Sequence, residues 1–231
     1  MMIATKQGRP SVLLFDVNET LLDLAPVKEN VDAVLIENGA WRLWFTTMLH
    51  YSLVTTVANR HAPLLDIGVA TLQMLARNRD VVLPEAEARE ALEPMLTLAP
   101  HRDVIDGLTR LKSAGFRLAT LTNSPEKTLH SQLQHAGLAN LFERHLSVES
   151  VGKYKPHADV YRWASEQMAV DPGQCMLVAA HAWDIAGAAW AGLQTAFIER
   201  SGNQIYPLGP PPSLSASDLD GLAAQLGAAS G

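Results

Sequence analysis

The chain is expected to fold as an α/β protein, with a doubly wound parallel-sheet core and a helical cap inserted after the first strand. Short apolar runs alternate with amphipathic stretches through the second half, the pattern of βα units around a parallel sheet. Glycines stand where several of the amphipathic stretches stop. One long earlier segment breaks the alternation, reading as helix after helix with no convincing strand. At 231 residues the chain can bury a substantial core, as one large domain or as a core with a smaller insertion.

The first strand candidate is the apolar run Val12–Phe15. From about Pro26 to Pro100 the apolar positions of Trp41–Val57 and Leu64–Leu75, and the alanine- and glutamate-rich Glu85–Leu92, predict a helical bundle. The boundaries are therefore drawn at 1–24 and 101–231 for the core and 25–100 for the cap. After it come helix Val104–Ala114, stopped by Gly115, and strand Arg117–Leu121. Helix Pro125–Ala136, stopped by Gly137, leads to strand His145–Ser147 and helix Ala158–Met168. Strand Met176–Ala179, helix Asp184–Ala191 with its stop Gly192, and strand Thr195–Ile198 complete the alternation. Gly202 to Ser217 contains GPPPSLSAS and reads as a surface loop before a last short helix, Asp218–Leu226. There is no internal repeat.

Composition narrows the function classes. Hydrophobic content of 48% against 18% charged residues excludes a disordered chain. A net charge of -6 without any Lys/Arg-rich run leaves no footprint for nucleic acid. The start, MMIATKQGRPSVLLFDV, lacks a signal peptide's longer apolar region, and no apolar run spans a bilayer, so a cytoplasmic protein without a membrane partner is expected. The single Cys175 lies in the apolar run CMLVAA; it can form no intramolecular disulfide or cysteine metal cluster and reads as a buried strand residue.

In open α/β sheets ligands lie beyond the carboxyl ends of the strands, and four such places here are polar. After the first strand come Asp16, Val17, Asn18, Glu19 and Thr20. A carboxylate ending a buried strand beside open backbone N–H groups is placed to act as a nucleophile, although the same acid could cap the next helix. After the second come Thr122, Asn123 and Ser124, whose side chains can hold an anionic oxygen together with the N–H groups of the helix from Pro125. Each could instead cap that helix, the preferred reading for Ser124. The third place is Lys153-Tyr154-Lys155-Pro156, with Tyr161 in the next helix. A lysine beside a buried carboxylate keeps it ionised; Lys155 is the preferred candidate and Lys153 a surface charge, an assignment that could be reversed. The fourth is Ala180-His181-Ala182-Trp183-Asp184. The remaining histidines, His50 and His61 in the cap among them, are scattered without ligand spacing, so no zinc site is expected.

Together FDVNETLLD, LTNS, YKP with Tyr161, and HAWDIAG resemble the type II (L-2-)haloacid dehalogenases of the haloacid dehalogenase (HAD) superfamily, in an order and spacing that cover almost the whole chain. WFTTMLHYSL is similar to that family's first cap helix, and SGN at Ser201–Asn203 also matches. The resemblance implies a Rossmann-like HAD core and the hydrolysis of short 2-haloalkanoic acids to 2-hydroxy acids. Asp16 would attack the halogen-bearing carbon from behind, expel halide and become an ester, whose carboxyl carbon water then attacks. By the same match Thr20 steadies the nucleophile and Lys155 offsets charge. Thr122, Asn123 and the backbone N–H groups after Asp16, at Val17 and Asn18, bind the substrate carboxylate. Trp183 walls the pocket, Asp184 organises the site and Tyr161 hydrogen-bonds within it.

Phosphatases of the superfamily carry a second Asp two residues after the first, to protonate a leaving alkoxide; this chain has Asn18. A halide leaves without that proton. Their magnesium site also uses two acids four residues apart, where this chain has Ala180 and Asp184. A metal-free reaction without cofactor is expected, with a HAD-type phosphatase, or a catalytically altered HAD-fold protein acting on a different substrate or only binding one, as the alternatives.

Three positions depart from the family. The arginine that receives the halide is replaced by Phe45, whose ring edge could cradle it weakly; Arg42, one turn earlier, substitutes only if the alignment slips. His181 stands where Asn is common and Glu19 where a small residue is common. A histidine paired with a carboxylate is a general base, so Glu19 is expected to orient His181 and His181 to activate water. The alternative leaves His181 structural and Glu19 facing solvent. A homodimer is possible through Trp41, Trp44 and Leu49, which could equally fill the cap's own core.

Overall fold

The computed structural model describes residues 8–228. The reading of the chain's start rests partly on residues 1–7, which lie outside them. Strands β1 (Val12–Phe15), β2 (Arg117–Thr122), β3 (Arg144–Ser147), β4 (Cys175–Ala179), β5 (Gln194–Ile198) and β6 (Leu214–Ala216) form one sheet in the order β3-β2-β1-β4-β5-β6. Every pairing is parallel. The chain winds outward from β1 in one direction and from β4 in the other, so the crevice between their carboxyl ends is a topological switch point. Both central strands are buried at every residue, which is why they read as continuous apolar runs. Cys175 is buried in β4.

Four helices follow β1 before the alternation resumes: α1 (Ala25–Leu35), α2 (Ala40–Val57), α3 (Leu64–Arg77) and α4 (Glu85–Leu92). The chain leaves and re-enters the core side by side, since the Asp23 N–H donates to Ala99 O at 2.9 Å and Leu22 bridges Pro100. Trp44 and Met48 on α2 and Ile67, Leu72 and Leu75 on α3 are buried, the spacing of a helix face turned inward. Helices α5 (Val104–Ser113), α6 (Glu126–His135), α7 (Ala158–Gln167), α8 (Ala182–Trp190) and α9 (Leu219–Gln225) belong to the βα alternation. No described helix is long and apolar enough to cross a membrane.

Two expectations need correction. The GPPPSLSAS segment is not all loop: Leu214–Ala216 forms β6, in parallel register with Ala196–Ile198. An edge strand of three residues needs one partner and little burial, so no apolar alternation marked it. Helix α8 begins at Ala182 rather than Asp184, with His181 as its N-cap residue. Trp183 and Asp184 thereby share its first turn and face the switch point.

Candidate active site

Asp16 directly follows β1, and its N–H donates to Val178 O of β4 at 3.0 Å. The side chain is thus delivered into the switch-point crevice. One carboxylate oxygen, Oδ1, accepts from Lys155 Nζ at 2.8 Å, and Oδ2 accepts from Thr20 Oγ1 at 2.7 Å. Lys155 is buried, and its ammonium also donates to Leu121 O at 2.8 Å and Asp184 Oδ2 at 2.6 Å. Tyr161 donates to Asp184 Oδ1 at 2.6 Å. Burial alone would raise the Asp16 pKa, but the Lys155 ammonium and His181 outweigh it and hold the carboxyl well below the usual carboxylate range. Burial likewise opposes charge on Lys155, yet the two aspartates raise its pKa. Burial and the neighbouring Asp16 push Asp184 up against the pull of Lys155. The result is an ionised carboxylate fixed from behind.

The loop after β1 brings Glu19 to the other flank. Glu19 has φ +66°, a left-handed conformation uncommon outside glycine. Its surroundings fix it there: its N–H donates to Leu22 O at 2.8 Å, the His101 Nε2 lies 3.1 Å from its carbonyl oxygen, and Arg200 donates to Thr20 O at 2.9 Å. So held, the Glu19 carboxylate is buried, with Oε2 3.0 Å from His181 Nε2 and Oε1 accepting from Lys28 Nζ at 2.6 Å. His181 Nδ1 lies 3.3 Å from Asp16 Oδ2. The imidazole therefore bridges the two acids. Burial disfavours its cation, but the hydrogen bonds and charges of Asp16 and Glu19 prevail and raise its pKa to about 9. Burial also opposes charge on Glu19, whose pKa is nonetheless lowered to about 2 by His181 and Lys28. His181 stacks on Phe45 at 5.7 Å and on Trp183 at 5.4 Å between ring centroids.

Above Asp16 lies a cavity of about 30 Å³ whose lining includes Asn18, Phe45, Thr122, Asn123, His181 and Trp183. Asn123 Oδ1 accepts from the Lys155 N–H at 3.0 Å, whereas its Nδ2 is buried and has no partner. An unpaired buried donor is costly, and here it borders a space that an anionic oxygen could enter. Thr122 Oγ1 accepts from the Ser124 N–H at 3.2 Å, which leaves the hydroxyl proton able to donate elsewhere.

Not every expected residue reaches this cavity. Tyr161 is fully buried behind Asp184 and does not line it. The Val17 side chain lies in the core and does not line the cavity. The Asn18 amide is engaged at both ends, Nδ2 donating to Ser124 Oγ and Oδ1 accepting from Gln132 Nε2, each at 2.9 Å. Ser124 consequently makes no helix cap; α6 starts from Pro125 without a side-chain cap. Lys153 pairs with Asp159 at 2.5 Å, and Lys155 is the lysine of the site. Glu19 faces His181, not solvent.

Sequence reasoning missed Lys28, Gln132 and Arg200. Lys28 is the lone basic residue of α1 and sits near its N-terminus, where the helix dipole disfavours a cation; that misplacement was a legible signal. Arg200 lies two residues past β5, within reach of the same end-of-strand rule that found the other groups. Gln132 carried no such signal.

A family model described as haloacid dehalogenase-like hydrolase matches residues 10–192. An (S)-2-haloacid dehalogenase of Pseudomonas sp. strain YL is 31% identical over 210 residues, 90% of each chain. A second, (S)-2-haloacid dehalogenase H-109 of Pseudomonas putida, is 27% identical over 90% of this chain and 93% of its own. A crystal structure of a dehalogenase with an intermediate complex superposes with TM-score 0.85 at 26% identity, covering 96% of this chain and 99% of that one. The L-2-haloacid dehalogenase of Xanthobacter autotrophicus with chloropropionic acid covalently bound has TM-score 0.84 at 21% identity, over 95% of this chain and 100% of that one, a likeness of fold.

Proposed function

The chain belongs to the haloacid dehalogenase-like hydrolases, and from that premise we propose that it hydrolyses 2-haloalkanoic acids to 2-hydroxy acids through an ester on Asp16. The observation that carries this reading is an ionised Asp16, held by Lys155 and Thr20 and lining a small cavity, with an amide at position 18 tied at both ends. Such an amide offers no proton to a leaving alkoxide, so the phosphatase alternative lacks its acid. A halide departs as a stable anion.

In this reading the substrate carboxylate takes the spare Asn123 Nδ2, Thr122 and the backbone N–H groups after Asp16. The carboxylate attacks C2, the carbon–halogen bond breaks with inversion, and the halide leaves toward Phe45. At rest His181 is an imidazolium between two anions and can accept no proton. Esterification removes the charge of Asp16, one of the two groups that raise the His181 pKa, so the imidazolium sheds its proton to solvent as halide departs. Neutral His181, oriented by Glu19, then takes a proton from the water that attacks Cγ of Asp16. Cleavage of the bond from Cγ to the substrate oxygen releases the hydroxy acid with the other proton of that water. Asp16 returns as a carboxylate and His181 as an imidazolium, so the cycle closes on the resting state with one halide and one proton released.

The helical segment 25–100 serves as the cap, with α2 supplying Phe45 to the reaction cavity. We further propose a homodimer, supported by the exposed Leu43, Val54 and Val57, which recur on one face of α2. Trp44 is buried and Leu49 lines the cavity, so neither is available to a partner.

The test is halide release from L-2-chloropropionate and chloroacetate, with and without chelator, in water enriched in heavy oxygen. Turnover unaffected by chelator, loss of at least a thousandfold in Asp16→Ala, and label entering Asp16 before the product are expected. Label passing straight into the product of the first turnover would exclude the ester.

A further inference from the structure

Beside the cavity over Asp16 lies a larger chamber of about 340 Å³ that the mechanism does not use. The two spaces share a wall, since Trp44, Met48, Leu64 and Met95 line both. Beyond it the chamber is bounded by Leu65, Gly68 and Leu92 on the helical segment and by Pro125 and Thr128 at the start of α6. Its charged lining residues, Arg89, Glu90 and Glu93, are exposed and form the rim.

The shared wall has a fixed half and a pliant half. Trp44 Nε1 donates to Gly68 O at 2.9 Å, and a Cβ built on Gly68 would meet Met48 Sδ at 3.3 Å and the Trp44 indole at 3.4 Å. The indole is thereby pinned, and the helices pack closely enough there that a side chain at position 68 would press on its neighbours. Met48 and Met95 make the other half, and unbranched thioethers readily change rotamer to admit an apolar group. On the core side the chamber continues along the very loop that presents Asn123: Ser124 and Pro125, its next residues, line it. A substrate anchored by its carboxylate at Asn123 therefore has this chamber alongside C2.

We infer that the chamber receives the C2 substituent of the substrate, so that the preferred 2-halo acids carry an unbranched apolar chain of several carbons in place of a methyl group or hydrogen. The inference rests on the dehalogenase reading and specifies its substrate class. A volume of about 340 Å³ is at the lower end of small-molecule pockets, ample for such a chain.

The test compares kcat/KM for L-2-chloropropionate, 2-chlorobutyrate and 2-chlorohexanoate. Each methylene that enters the chamber should raise kcat/KM about fourfold, the transfer free energy of a buried CH₂ expressed as a rate ratio. Leu65→Trp and Thr128→Phe plug the chamber from its two sides and touch nothing at Asp16. Each should abolish the advantage of 2-chlorohexanoate and leave 2-chloropropionate within about twofold. A flat or falling chain-length profile in the parent protein, or a preference that both plugs leave intact, overturns the inference while leaving dehalogenation standing. Calorimetric binding of hexanoate against acetate to Asp16→Asn separates the two claims. Tighter hexanoate binding that either plug abolishes supports the chamber even if no acid releases halide, and equal binding of the two acids counts against it.

Discussion

At the scale of single residues the site is governed by the distribution of charge around Asp16. Lys155 balances Asp16 from behind, and His181 balances it from the front, so the carboxylate is ionised far into acid and the imidazole is charged well above neutrality. The reading in which His181 acts as a base holds only after Asp16 has lost its charge, and this has a kinetic signature. In single turnovers the halide burst should persist as pH falls, whereas ester hydrolysis should slow because His181 retains its proton; trapped ester measured by mass at low pH checks it. His181→Asn should keep the burst within about tenfold and let the ester accumulate at every pH. The same pair sets a stability profile. The His181 pKa is raised on folding, so its contribution is complete below about 6.5 and fades as pH rises through about 9. Glu19 is lowered to about 2, so its contribution is complete above about 4.5 and fades on acidification. Thermal melts of the parent should decline between pH 6.5 and 9, and those of His181→Asn should lose that decline.

At the scale of elements, what could be read from sequence was whatever burial writes into it. The strands β1 and β4 are apolar because helices cover both faces, and Asp16 and Thr122 stand out because a polar group at the end of a buried strand must have a partner there. What could not be read was tertiary: that Tyr161 stands behind Asp184, that Gln132 reaches Asn18, and that β6 adds an edge to the sheet. Close packing of α8 belongs to the same class. A Cβ on Gly187 would lie 2.3 Å from Pro156 Cβ and 2.8 Å from Tyr161 Oη, so α8 approaches the loop carrying Lys155 only because that residue is glycine. Gly187→Ala must move a helix that also carries Trp183 and Asp184 in its first turn. We expect a loss of about 1–3 kcal/mol in stability from overpacking, read by denaturant unfolding. Activity should fall further than stability predicts, because Asp184 would be displaced from Lys155 and Tyr161.

At the scale of the whole molecule, the helical segment meets the core through a set of polar contacts. Lys28 of α1 reaches Glu19 at 2.6 Å, Tyr154 donates to Ala62 O at 2.5 Å, and Gln132 donates to Met95 O at 2.8 Å. Helix α2 is central to this arrangement, since its inner face supplies Trp44, Phe45, Met48 and Leu49 to the cavity. Its outer face carries three exposed apolar side chains interspersed with Thr46 and His50: Leu43 is 50% exposed, Val54 42% and Val57 87%. Exposed apolar side chains recurring along one helix face can mark a contact surface, and a second copy packing on this face would cover them. Because the same helix holds Phe45 against His181, such packing would also stiffen the cavity roof. Light scattering should therefore report a dimer for the parent protein and a monomer for Val54→Asp combined with Val57→Asp. Both substitutions lie on exposed side chains, so the monomer should keep its fold. Its KM should rise while the halide burst survives, since Asp16 and Lys155 stand on the core. A parent protein that scatters as a monomer, or a double variant that remains a dimer, would mean that this face has no such partner.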